Sequence, residues 1–236
     1  ALDLDEIRPE LFAGAPEFLL PLAAELLWRG AFERGSRAVA LAQRCRIDPG
    51  QQPGLAVRLA LVNMLHCTFI GEFDEAVAHR ERARPFEAKA DGVSDWVVTL
   101  DTLAMYCHTY LGHFSQARQL ADVLVSAQVS DALTELLCPG VISQAAFIEG
   151  TLDEADALAV RTLDAARRLH FDRHYFAFHA LRTTALLALE RHDLAAAAEP
   201  VERALEIVSG ARPAFNYLAQ LDRARIWAAG GNYDEA

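Results

Sequence analysis

The run Gly71-Glu72-Phe73-Asp74-Glu75-Ala76 decides the fold, because its six-residue pattern recurs along the chain. It returns as Gly112-His113-Phe114-Ser115-Gln116-Ala117, as Gly150-Thr151-Leu152-Asp153-Glu154-Ala155 and as Gly231-Asn232-Tyr233-Asp234-Glu235-Ala236. Two degenerate copies complete the series, Gly30-Ala31-Phe32-Glu33-Arg34-Gly35 and His192-Asp193-Leu194-Ala195-Ala196-Ala197. The lead residues fall at 30, 71, 112, 150, 192 and 231, in steps of 41, 41, 38, 42 and 39. Self-similarity at a fixed spacing of this size marks a repeat architecture.

Each place in the hexamer has a physical task. The lead glycine ends a helix by adopting a left-handed conformation that would cost other residues a Cβ clash. The aromatic residue or leucine two places on can fold back on the helix just ended. Asp or Ser at the fourth place is expected to cap the next helix, and acidic residues in its first turn suit its dipole. The closing alanine lets two helices approach closely. The unit is therefore a helical hairpin.

The flanks agree. Apolar residues recur at i, i+3, i+4 and i+7 before the turns, over 55–70, 95–111, 172–190 and 213–229. They recur after the turns over 74–90, 115–128, 153–169 and 193–208, and no alternating pattern competes. Asp48-Pro49-Gly50, 91–94 and 210–213 separate hairpins. Pro85, Pro139 and Pro200 fall inside helical patterns, which predicts kinks or breaks, with a helix restarting at Pro139-Gly140 inside the short 38-residue step. The fold class is all-α: an α-solenoid of helix-turn-helix repeats, one domain over 1–236 of about six hairpins, wound as a right-handed superhelix.

Composition removes several function classes. The chain has 236 residues, 22 Lys+Arg against 33 Asp+Glu, a net charge of −11 and a pI near 5.1. An acidic chain lacks the positive face that duplex binding needs, so no direct nucleic-acid contact is expected. Lys89 is the only lysine and sits in Glu87-Ala88-Lys89-Ala90, so there is no Gly-Lys-Ser/Thr phosphate loop. The longest uncharged apolar stretch, 59–70, is read as too short to span a bilayer, and no signal-peptide pattern is visible. Cys45, Cys67, Cys107 and Cys138 are far apart without a CxxC pair, which suits reduced, buried thiols in a cytoplasmic protein. No cofactor motif is present.

The Gly-x-Phe/Tyr-Asp-Glu-Ala turn resembles that of tetratricopeptide repeats, although their period is 34. Longer, arginine- and alanine-rich repeats with this turn look like the superhelical region of large LuxR-type transcriptional regulators of the MalT kind. The resemblance covers about residues 18–236. It implies the sensor and scaffold part of a regulator, with an ATPase module before it and a helix-turn-helix DNA-binding module after it. The implied partners are a small-molecule effector, or a regulatory protein or peptide, with self-association on binding. Ala1 in place of Met, and a last copy that stops at Ala236 early in its second helix, suggest a fragment of a longer protein. A general tetratricopeptide-like adaptor that docks a peptide, unrelated to transcription, is the alternative.

By similarity to tetratricopeptide solenoids, the first helix of each hairpin lines the concave wall. The places about 13, 10, 6 and 2–3 residues before the turn glycine form one helical stripe. They carry Arg58, Tyr106, Tyr110, Gln144, His179, Arg182 and Arg225, the candidate groove for an anionic or sugar-like ligand or an acidic peptide. Arginine forks suit carboxylates and phosphates, and tyrosine offers a flat face with a polar tip. The competing reading is that these arginines are solvated or paired with neighbouring acids. The segment 170–179 is the densest aromatic and histidine cluster and the best single place for a pocket.

Metal and catalytic readings are weaker. His66-Cys67 and Cys107-His108 share register places with Ala145-Ala146 and Leu187-Ala188, a series that suits helix packing better than ligation. His170 and His174 are four apart but flank an expected helix entrance at 171–172, without an HExxH arrangement. Gly-x-Ser-x-Gly is absent, and the acidic pairs recur at turns as helix-start residues. No enzyme activity is expected.

Overall fold

The structure, a computed structural model, describes residues 8–127, 132–208 and 213–232. Among the described residues it is all-α, with eleven helices packed as sequential antiparallel pairs. They are α1 (Pro16–Trp28), α2 (Phe32–Ala42), α3 (Pro53–Ile70), α4 (Phe73–Glu87), α5 (Ser94–Tyr110), α6 (Phe114–Ser126), α7 (Cys138–Glu149), α8 (Leu152–Arg168), α9 (Phe178–Glu190), α10 (Leu194–Val208) and α11 (Pro213–Ala229). Two compact units divide the chain, Ala1–Cys107 and His108–Ala236. In the first, α1 packs on α2 and α3 on α4; in the second, α7 packs on α8 and α9 on α10.

The six turn positions share one backbone geometry. Gly30, Gly71, Gly112, Gly150 and Gly231 have φ between 77 and 89°, and His192 takes φ 59° in the same place. The next residue's N–H then reaches back five residues to close the helix end. Glu72 N–H donates to Cys67 O at 2.9 Å, and Ala31, His113, Thr151, Asp193 and Asn232 make the equivalent bond at 2.8–2.9 Å. This is the six-to-one bond of a Schellman end, which satisfies a carbonyl the helix would leave orphaned. The copies diverge in side chains and agree in backbone.

The sixth place is where the helices touch. Ala76, Ala117, Ala155 and Ala197 are fully buried. At Gly35 a Cβ would stand 2.8 Å from the Leu27 side chain and 3.2 Å from its backbone nitrogen, so this place needs glycine. Alanines also build the seams of the second unit. Ala185, Ala188 and Ala197 pack with Val201 and Ile226, and Ala146 and Ala155 with Leu187.

Capping differs from expectation. α4, α6 and α8 begin one residue early, at Phe73, Phe114 and Leu152, and their N-cap residues make no side-chain cap bond. Asp74, Ser115 and Asp153 therefore lie inside the first turn, where the two acids suit the helix dipole. Asp193 is the exception: its Oδ1 accepts the Ala196 N–H at 3.0 Å. α9 begins at Phe178, later than the expected entrance at 171–172. A 3-10 turn over Tyr175–Ala177 precedes it, and His174 Nδ1 accepts the Phe176 N–H at 3.4 Å.

Pro139 lies in the first turn of α7, directly after a π-helical turn at Ala132–Leu137, so a helix does restart there. Proline is tolerated at that place because its missing N–H has no intrahelical acceptor. Pro85 and Pro200 lie inside α4 and α10, which continue through them. α3 corrects the membrane reading. At 18 residues it is long and apolar enough to cross a bilayer by length and composition, yet just over half of it is buried within the fold. The last copy's Tyr233 to Ala236 lies outside the described residues.

Candidate functional site

Most of the predicted stripe points into protein. Tyr106, Gln144, His179 and Arg182 are all buried, so they do not line an open wall. Tyr110 is half-buried, and Arg225 is exposed. Arg58 is half-buried in the first unit, its guanidinium 5.3 Å from the Trp96 ring centroid.

Three of the seven meet in the second unit. Arg182 on α9 donates from Nε to Asp222 Oδ2 on α11 at 2.6 Å, and from Nη1 to the Tyr110 hydroxyl at 3.0 Å. That hydroxyl lies 3.2 Å from His179 Nδ1. The hydroxyl accepts from Arg182, and the direction of its contact with Nδ1 is set by the imidazole tautomer. Arg225 stands 3.9 Å from Asp222 Oδ1, at the edge of the same group. Phe178 and Phe215 stand edge-on to the His179 ring at 5.0 and 5.8 Å.

The electrostatics follow from burial. Desolvation, then the adjacent Arg182 cation, holds the His179 pKa well below its ordinary value. Desolvation works against the Arg182 charge too, but Tyr110 and Asp222 outweigh it and raise its pKa. The group is a buried ion pair beside a neutral histidine, and it ties α9 to α11; Asp222 Oδ1 accepts no hydrogen bond within it. The segment 170–179 contributes to this core through Tyr175, Phe178 and His179. His170 has φ 60° at the end of α8, while His174 starts the 3-10 turn, so the two histidines serve different segments.

His66 and the three buried cysteines are taken up by packing, whereas Cys45, expected to be buried with them, keeps partial exposure. His66 Nε2 lies 3.0 Å from Ser36 Oγ, with its ring stacked on Phe32 at 5.6 Å. Thr68 Oγ1 lies 3.4 Å from Cys107 Sγ. Burial pushes the Cys107 and Cys138 thiols up to about 12 and Cys67 to about 11, so they are protonated and unreactive at neutral pH. Among the described residues no three or more His, Cys, Asp or Glu side chains come together to hold a metal ion.

The open site lies where the stripe did not point. A cleft of about 1180 Å³ runs between α6 and α8, with the start of α7 as its floor. Ala121, Val125, Cys138, Pro139, Ile142, Leu158 and Ala165 give it apolar surface; Arg118, Asp122, Glu135, Glu154, Arg161, Asp164 and Arg168 give it charge. Most of these charges are already paired. Arg118 grips Glu154 at 2.7 and 3.0 Å and Glu149 at 2.7 Å, and its hydrogen bond to Glu154 raises the guanidinium pKa and lowers that of the carboxyl. Arg168 pairs with Glu135, and Asp164 with Arg167 at 2.6 Å. The cleft sits at the short 38-residue step, where the π-helical turn and Pro139 replace a regular helix start. That irregular step was the only trace of it in the sequence.

Fold and site together define a helical-repeat protein with one amphipathic cleft in its second unit. No protein-family model matches the chain, and no curated protein sequence matches it. Among solved structures the chain is similar to the crystal structure of BtubC (BKLC) from P. vanneervenii. The two are 15% identical with a TM-score of 0.49, over 98% of this chain and 87% of that one. The likeness is distant and lies in the helical fold.

Proposed function

We propose that this chain is a binding and signal-sensing repeat domain, acting in the cytoplasm as part of a larger regulator of the LuxR-type, MalT-like kind. Its own contribution is recognition; catalysis and DNA contact belong to other modules. The observation that carries the binding reading is the cleft between α6 and α8: large, apolar-floored, rimmed by charge and formed where the repeat departs from its period. Its volume lies at or above the upper range of small-molecule pockets, which suits an extended effector or a protein segment. Binding there would favour one arrangement of the parent protein over another.

The test is a thermal-shift screen against sugars, phosphorylated metabolites and short charged peptides. A ligand of this site raises Tm in a concentration-dependent way, and Val125→Glu on the exposed cleft wall removes the shift. A set of ligands whose shifts survive that substitution moves the site elsewhere. Arg182→Ala and Tyr106→Ala are poor probes of binding, because both side chains are buried and their loss disturbs the fold itself. The regulator assignment has its own check: the gene should encode a P-loop module before this region and a helix-turn-helix after it. A general peptide-docking adaptor would show neither.

A further inference from the structure

We infer that the occupant of the cleft between α6 and α8 is an amphipathic helix of a partner protein, basic along one edge and acidic along the other. This rests on the reading of the cleft as the binding site and names the chemistry of its partner. Three observations lead to it.

The walls are two helical stripes. On α6, Arg118, Ala121, Asp122 and Val125 follow spacings of 3, 4 and 7 from the first; on α8, Leu158, Arg161, Ala165 and Arg168 step by 3, 4 and 3. Residues so spaced share one helix face. The α8 stripe runs for about 15 Å, nearly three turns of a third helix laid alongside. Apolar residues alternate with charge along both walls, and Val125 is 44% exposed, an aliphatic side chain left without cover.

Charge is the second observation. Among the described residues lining the cleft, Arg161 and Asp122 are exposed and make no ion pair, whereas Arg118, Arg168, Glu135, Glu154 and Asp164 each have an oppositely charged partner. The unpaired cation stands on the α8 wall and the unpaired anion on the α6 wall. A helix lying between them with its apolar face on Ile142 and Leu158 places one edge over each wall. It meets complementary charge on both sides only if one edge is basic and the other acidic.

Size is the third. A cavity of about 1180 Å³ exceeds what a single small metabolite fills, and its apolar floor is suited to the aliphatic row of a helix.

The experiment uses the whole chain and a designed, end-capped 15-residue helical peptide, fluorescein-labelled, with leucines on one face, arginines on one edge and glutamates on the other. Saturable binding by anisotropy is expected, weakened about tenfold or more by Arg161→Glu and by Asp122→Arg. Both residues are exposed and unpaired, so the variants should fold normally, which thermal melts check. Combining both changes, Arg161→Glu with Asp122→Arg, exchanges the charges of the two walls. The same peptide then regains its affinity by lying in the opposite direction, and a spin label at its N-terminus broadens resonances at the other end of the cleft. Equal binding by all four proteins overturns the proposal. So does a peptide that fails to bind while metabolites still shift Tm through the cleft, and that result leaves the cleft's role as a binding site intact. Failure of peptides and metabolites alike overturns both.

Discussion

The two units treat a buried cation differently although both are built from the same hairpins. In the first, Arg80 on α4 donates from Nε to Asp101 Oδ1 at 2.7 Å and pairs also with Glu87 at the end of its own helix. In the second, Arg182 meets one carboxylate, Asp222, and donates also to the neutral Tyr110 hydroxyl. The carboxylates of Arg80 keep 16 and 21% of their side-chain surface in solvent, whereas Asp222 keeps 1%. The first arrangement anchors a helix near the surface, where water can take over if a partner is lost. The second is sealed, so its members depend on each other completely.

This contrast can be broken most forcefully at the acids. Asp222→Ala strands the Arg182 guanidinium in an apolar interior and is expected to cost about 3–5 kcal/mol. Asp101→Ala leaves Arg80 with Glu87 and access to water, and should cost clearly less, about 1–2 kcal/mol. Urea unfolding of the two variants checks the order. Equal losses would mean that the Arg182 site is wetter than its burial indicates.

Acidity sharpens the contrast next. His179 has a depressed pKa in the folded protein, so on acidification the unfolded chain takes up a proton that the folded chain refuses. Stability is complete above the unfolded value of about 6.5 and falls as pH drops below it, by up to about 1.4 kcal/mol per pH unit. His66 and His79 in the first unit are lowered the same way, by burial first, but are only half-buried. His179→Phe should therefore flatten Tm between pH 6.5 and 5 more than His66→Phe does. A steeper or unchanged profile in the His179 variant would place the acid sensitivity elsewhere.

The smallest expected effect concerns the turns. Among the described residues the first unit's left-handed positions are glycines, while the second unit includes His170 and His192 at φ near 60°. A Cβ in that conformation is unfavourable, so His192→Gly should stabilise by about 0.5–1 kcal/mol, and Gly71→Ala should destabilise by about 1 kcal/mol. Differential scanning calorimetry resolves both. No gain from His192→Gly would show that the imidazole makes compensating contacts.

How much was legible depends on how local each feature is. Five glycines and one histidine marked the six turns because a positive φ is a property of one residue, and the repeat of 40 was visible in the lead positions alone. α11 was readable end to end, from Pro213 to Ala229. Capping was misplaced by two residues at Asp74, Ser115 and Asp153, because the six-to-one bond of the preceding turn already positions the next helix to start at the third place. His179 and Arg182 were legible as one face of α9, and Tyr110 as the matching face of α5. Their burial was not, because a spacing of 3 and 4 tells which residues look the same way and nothing about what covers them.

The sequence by itself determined the hairpin, its period and the close-packed sixth place, all of which follow from φ preferences, side-chain size and helical periodicity within a few tens of residues. Only the tertiary structure decided that Asp222, forty residues from Arg182, would neutralise it, and that Tyr110 would reach the same group from α5. It also decided where the chain stays open. The cleft between α6 and α8 lies beside the π-helical turn and Pro139, and its walls come from helices whose charges find partners, or fail to, only once they are packed. Pairing across such separations is set by the summed geometry of several hairpins, which no single stretch of sequence carries.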